Sequence, residues 1–134
     1  MTQSILFVED DATDRMFLKL SLDDSNLDVE ASYCEDGVQA LEYLRSHEPP
    51  DLIVTDLSMP GMDGVELTQT LKSDESYCGI PVLMLSTSNN RSDVRRFYGK
   101  AGNAYIRKPD SPDGYQMVLT EISRFWFSVA ESGA

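Results

Sequence analysis

The sequence predicts a doubly wound α/β sandwich built on a mostly parallel sheet, and three observations lead there. Five short apolar runs alternate with five segments whose apolar residues recur at helical spacing. Polar or Gly/Pro clusters close nearly every run, so the linkers are short. Neither an internal repeat nor a low-complexity tract interrupts the alternation, which is the pattern of helices laid on both faces of a parallel sheet.

Each element follows from local chemistry. Ile5-Leu6-Phe7-Val8 is a strand-like run that stops abruptly at Glu9-Asp10-Asp11. Met16, Phe17 and Leu20 then repeat at helical spacing and predict a first helix over roughly 12–23. A turn at 26–28 precedes a weaker strand over 29–33. After Asp36-Gly37, the stripe of Val38, Leu41 and Leu44 marks a second helix, which Pro49-Pro50 stops. Leu52-Ile53-Val54-Thr55 is the third strand and ends at Asp56. The turn signals Pro60-Gly61 and Asp63-Gly64 lead into a third helix carrying Val65, Leu67 and Leu71.

Pro81 introduces Val82-Leu83-Met84-Leu85, continuously apolar as in a strand buried on both faces. A polar loop over 86–90 precedes a fourth helix, roughly 91–100, with Val94, Phe97 and Tyr98; Ala101-Gly102-Asn103 ends it. Ala104 to Arg107 form the fifth strand. Ser111-Pro112 opens the last helix as cap and first-turn residue. That helix is expected to run to about Val129 with Val118, Leu119 and Ile122 inward. Phe125, Trp126 and Phe127 are consecutive, so helical geometry spreads them ~100° apart and one face cannot bury all three. Either two enter the core and one leans on a neighbouring helix, or the group contacts a partner or a second copy.

The totals narrow the class. A chain of 134 residues is one domain, with a core expected over about 3–130, and its 41% hydrophobic and 25% charged residues suit a globular protein. Cys34 and Cys78 form no metal-binding spacing and read as two reduced thiols. The N-terminus has no signal-peptide pattern and no run approaches membrane-spanning length, so a cytoplasmic protein without membrane contact is expected. With 11 Lys plus Arg against 23 Asp plus Glu, the net charge of −12 repels phosphate backbones and argues against direct nucleic-acid binding.

Ligands of open parallel sheets bind beyond the carboxyl ends of the strands, so the residues just after each strand carry the most information. After the first come Glu9, Asp10 and Asp11; after the third, Asp56; after the fourth, Ser86, Thr87 and Ser88; after the fifth, Lys108. Carboxylates ~4 Å apart repel by ~4 kcal/mol at an effective dielectric of about 20, so this cluster calls for a cation. Oxygen-only donors suit Mg²⁺, with Mn²⁺ as the alternative. Such an ion, Lys108 and the Ser86 hydroxyl would together trap a phosphoryl group, whose transfer needs mainly positioning and charge neutralisation. Asp56 is the candidate nucleophile, since a carboxylate ionised at neutral pH needs no general base.

These pieces resemble the response-regulator receiver family over about residues 3–130. The matching segments are ILFVEDD at 5–11, DLIVTDLSMPGMDG at 51–64, PVLMLSTS at 81–88 and YIRKP at 105–109. The spacings from Asp56 to Ser86 and to Lys108 match chemotaxis-type receivers. The resemblance implies a flavodoxin-like five-stranded sheet in the order 2-1-3-4-5. It implies Asp56 as phosphoacceptor, metal binding by Glu9, Asp10, Asp56 and the Ser58 backbone carbonyl, and a switch through Ser86 and Tyr105 with Lys108 invariant. It also implies a cis peptide at Lys108-Pro109.

The expected function is that of a single-domain response regulator in a phosphorelay, not an enzyme in its own right. It would take a phosphoryl group from a sensor histidine kinase and signal through altered contacts with an unknown downstream protein. Ser58 stands where that family often has Asn or another polar residue, which bears on dephosphorylation, and the DSPDG loop after Lys108 is slightly long. The STS loop and terminal aromatics resemble stand-alone receivers of phytochrome-type kinases. Homodimerisation through the face of helix four, strand five and helix five is an option. The basic residues Arg91, Arg95, Arg96 and Lys100 mark that face for docking or are simply solvated.

Two alternatives stand beside this reading. A dehalogenase-type Mg²⁺-dependent phosphatase wants an acid two residues after its Asp nucleophile, where this chain has Ser58. A pseudo-receiver docking module would have lost part of the pocket. His47 is solitary and expected at the surface, so it does not read as a phosphocarrier.

Overall fold

The five apolar runs pair side by side, all parallel, in the order β2-β1-β3-β4-β5. The computed structural model describes residues 2–131 and 133. The strands are β1 (Gln3–Val8), β2 (Val29–Cys34), β3 (Leu52–Thr55), β4 (Val82–Ser86) and β5 (Ala104–Arg107). The helices are α1 (Ala12–Asp23), α2 (Gly37–Ser46), α3 (Gly64–Lys72), α4 (Arg91–Gly99) and α5 (Pro112–Arg124), the last continuing into a π-helical turn over Phe125–Val129. Parallel neighbours need crossover helices, and these lie on both faces.

Side chains alternate along each strand, so one run feeds two cores. Leu6, Val8, Ile53 and Met84 pack toward Leu44, Leu67, Leu71 and Phe97 of α2, α3 and α4. Ile5, Phe7, Val54, Leu83 and Leu85 pack toward Leu18, Tyr115, Leu119 and Ile122 of α1 and α5. The ends of the helices are set as their sequences suggest. Asp36 and Asp63 accept hydrogen bonds from the first turns of α2 and α3, Asp63 within a capping box completed by Glu66. Ser111 caps α5 with Pro112 in its first turn. Among the described residues, no helix is long and apolar enough to cross a membrane.

Several details differ from the sequence expectation. In α1 Leu18 and Ser21 are buried and Phe17 packs against the core as expected, while Met16 and Leu20 are half exposed. In α2 it is Ala40 and Leu44 that are buried, and Val38 faces out. The left-handed residue closing α4 is Ala101, with φ 66°, rather than Gly102. Gly102 is required for another reason, because a Cβ there would overlap the Phe97 ring. No cis peptide occurs among the described residues, so the Lys108-Pro109 bond is trans, contrary to the implication of the resemblance. Trp126 and Phe127 pack against the α1/α5 core and Phe125 is exposed, lying edge-on to Trp126. Cys34 is buried, Cys78 exposed and both are free thiols. His47 is exposed and stacks on Tyr43.

Candidate functional site

The acid segment after β1 divides its work among its residues. Asp11 accepts from the Asp14 N–H and caps α1, which leaves Glu9 and Asp10 available for other work. The Glu9 N–H donates to the Cys34 carbonyl at 2.9 Å and fixes its backbone between β1 and β2. Arg15 donates to the Glu9 carbonyl at 2.7 Å and reaches Glu35 at 3.1 Å, tying the segment to the loop after β2. Glu9 is buried and Asp10 exposed.

Asp56 enters from the middle of the sheet. Its N–H donates to the Val8 carbonyl at 2.8 Å, and its Oδ1 accepts from the Leu57 N–H at 2.8 Å. Gly64 lies directly against the Asp56 carbonyl, where any Cβ would overlap it, so α3 can start this close only with glycine. One carboxylate oxygen from each of Glu9, Asp10 and Asp56 falls within 4.8 Å of the others. Three acids so placed repel one another, which is the physical signature of a cation site.

Lys108 reaches into this cluster from beyond β5. Its N–H donates to the Ser86 carbonyl at 2.8 Å, which anchors the backbone. Its Nζ lies 2.7 Å from Glu9 Oε1, 2.7 Å from Asp14 Oδ2 and 3.4 Å from Asp56 Oδ2. Burial pushes the Glu9 carboxyl up to about 7, against the lowering effect of its bond to Lys108. Burial likewise raises Asp56, with Lys108 opposing. For Lys108, burial works to lower the ammonium, but hydrogen bonds to Asp14 and Glu9 outweigh it and hold it above its ordinary range. Three carboxylate oxygens, two of them from buried residues, fit a hard divalent cation.

Ser86 and Tyr105 meet through Ser88. The buried Ser86 Oγ accepts from the Ser88 N–H at 3.1 Å, and the Tyr105 hydroxyl donates to the Ser88 carbonyl at 2.9 Å. Ser88 Oγ donates to Asp93 of α4 at 2.7 Å, and the Tyr105 ring lies edge-on to Phe97. The Tyr105 N–H in turn donates to the Tyr98 hydroxyl at 3.0 Å. Ser58 is exposed in the loop after Asp56. Every side chain expected at the site is therefore at this end of the sheet. Two contributors escape the sequence reading, and a third, Ser88, is named there without its role. Asp14 and Arg15 act across the fold from α1. The linking role of Ser88 depends on the turn that it adopts after β4.

Comparison with known proteins bears on the family and the fold. The model of the response regulator receiver domain matches residues 5–119. The chain is 32% identical over 128 residues to the response regulator Rcp1 of Synechocystis sp., covering 91% of this chain and 87% of Rcp1. It is 33% identical over 127 residues to the probable methanogenesis regulatory protein FilR2 of Methanothrix harundinacea, covering 91% and 82%. The phosphorylated cyanobacterial phytochrome response regulator RcpA superposes with a TM-score of 0.91 at 33% identity over 100% of both chains. The Mn²⁺-bound form of Rcp1 gives a TM-score of 0.86 at 30% identity over 98% of this chain and 99% of that one. The acid cluster beneath a lysine, the order of the strands and these likenesses lead to one conclusion: the chain belongs to the response regulator receiver domain family of two-component signalling.

Proposed function

We propose that this chain is a phosphoacceptor: Asp56 takes a phosphoryl group from the histidine of a sensor kinase, and the altered surface signals to a protein partner. The observation that carries the reading is the placement of Lys108 Nζ among Glu9, Asp14 and Asp56 at the carboxyl end of the sheet. One oxygen of the Asp56 carboxylate forms the new P–O bond as the donor's P–N bond breaks. The bond from Leu57 N–H to Oδ1 orients the carboxylate, so the oxygen facing Lys108, Oδ2, is the one presented to the donor. Lys108 and the Ser86 hydroxyl are then the groups of this chain that meet the phosphoryl oxygens.

Glu9, Asp10, Asp56 and the Ser58 backbone carbonyl would hold Mg²⁺ or Mn²⁺, with Glu9 acting through a bound water. The ion supplies neutralisation of charge on the transferring oxygens. Rcp1 is known in a Mn²⁺-bound form, which supports that assignment. RcpA is a phytochrome response regulator, which favours a phytochrome-type kinase as donor. We read the whole chain as one receiver domain whose α4, β5 and α5 face, with Tyr98 and Arg107 exposed, receives the downstream protein or a second copy. Tyr105 and Ser88 are the link from the pocket to that face, acting as a population shift.

The test is incubation with acetyl phosphate and Mg²⁺, followed by intact-mass measurement and beryllofluoride titration. Wild type is expected to gain one phosphoryl group and Asp56→Asn none. A group that survives Asp56→Asn, or no modification at all, sinks the reading. Continuous turnover of a phosphomonoester would favour the phosphatase alternative.

A further inference from the structure

Lys108 has one partner that the proposed chemistry does not use. An ammonium offers three N–H bonds; here Nζ donates to Asp14 at 2.7 Å and lies 2.7 Å from Glu9, with Asp56 next nearest at 3.4 Å. Both short contacts have the length of strong charge-assisted hydrogen bonds. The Lys108 side chain is only 6% exposed, so water is a poor substitute for either.

Asp14 is well placed to hold on. It sits in the first turn of α1, where its own N–H is bonded to the capping Asp11, and α1 packs along α5. Its carboxylate is not among the three that gather at the cation site. A cation held at Glu9, Asp10 and Asp56 would compete with Lys108 for Glu9 and Asp56, but not for Asp14. Phosphoryl oxygens arriving at Asp56 then meet an ammonium whose position and charge are still held by Asp14.

We propose that Asp14 is a positioning residue that latches Lys108 in the resting state and thereby sets how readily the site accepts and keeps a phosphoryl group. The inference rests on Asp56 being the phosphoacceptor. It makes Asp14 a brake: removing its charge frees Lys108 for the phosphoryl oxygens, while the cation site keeps all its carboxylates.

The test compares wild type, Asp14→Asn and Asp14→Glu in the full chain, each with folding checked by circular dichroism. Beryllofluoride binding in saturating Mg²⁺ should tighten about 3- to 10-fold in Asp14→Asn, since a charge-assisted bond no longer has to be given up. Asp14→Glu should stay close to wild type. Mg²⁺ affinity read alone should change by less than about twofold, because Asp14 contributes no ligand. In the metal-free protein, the Lys108 ¹⁵Nζ resonance should move in Asp14→Asn, which reports the lost contact; the gain in beryllofluoride affinity is what a merely structural role would not produce. Equal or weaker beryllofluoride binding by Asp14→Asn overturns the proposal alone. A wild type that binds no beryllofluoride overturns the phosphoacceptor reading and the latch's function with it.

Discussion

β3 and β5 are strands of four residues in one sheet, yet they are held very differently. All four residues of β3 are buried, and α3 after it buries Gly64, Val65, Leu67, Thr68 and Leu71. No residue of β5 is fully buried, and α4 before it buries only Phe97. Asp56 thus follows a fully enclosed strand, whereas Tyr105 lies on a half-buried edge strand, paired on one side with β4 and packed through Ala104 and Ile106. A site that must position a phosphoryl group within fractions of an ångström benefits from the first kind of support. A face that must change its contacts benefits from the second, since local openings are drawn from weakly packed regions.

The contrast can be broken from either side. Phe97→Ala removes the anchor of α4 and should cost about 3–5 kcal/mol in urea unfolding. Native-state hydrogen exchange should then rise over α4 and β5 far more than over β3, and Mg²⁺ affinity should hold. Gly64→Ala forces a methyl group against the Asp56 carbonyl and should cost about 1–3 kcal/mol. Unlike Phe97→Ala, it should also weaken Mg²⁺ and beryllofluoride binding, because the backbone that must yield belongs to Asp56.

A third experiment isolates the pocket by pH. Glu9 is raised from 4.5 to about 7 and Asp56 is raised as well, so the folded state prefers both protonated more than the unfolded chain does. Their stabilising contribution is complete below the unfolded values and is lost as pH rises through the folded ones. The metal-free protein should therefore show a falling urea midpoint between about pH 5 and about pH 8, and Glu9→Gln should flatten much of that slope. Mg²⁺ should act in the opposite sense, binding more tightly as pH rises because its ligands must be ionised. The smallest effect is expected from Tyr105→Phe, which removes the bond to the Ser88 carbonyl and should cost about 1 kcal/mol. Its sharper readout is a weakened chemical-shift response of α4 to beryllofluoride.

Much of this could be read from the sequence because strand interiors are written as continuous apolar runs. Ile5 to Val8 and Val82 to Leu85 are buried as their composition demands. The helices were less legible. Helical spacing of Met16, Phe17 and Leu20 located α1, and Phe17 does pack against the core. Met16 and Leu20 are half exposed because the buried face turns toward Leu18 and Ser21, a polar residue that apolar periodicity overlooks. The π-helical turn had no marker at all. It is defined by the Ala130 N–H donating to the Phe125 carbonyl, a pairing that no residue type announces. The strand-end acids were legible because topology brings strand ends together. Asp14 was not, since its partner Lys108 lies 94 residues away and only the fold brings the start of α1 to the residue that follows β5.

The Tyr98 hydroxyl has a bearing on how this protein meets others. β5 is an edge strand, and its outward N–H groups are an open invitation to another chain's backbone. At Tyr105 that donor is already taken by the hydroxyl that α4 extends across it. Pairing by β-augmentation would have to evict the tyrosine first. The same bond that steadies α4 therefore blunts the sheet against open-ended strand addition and leaves side-chain recognition as the easier mode of contact.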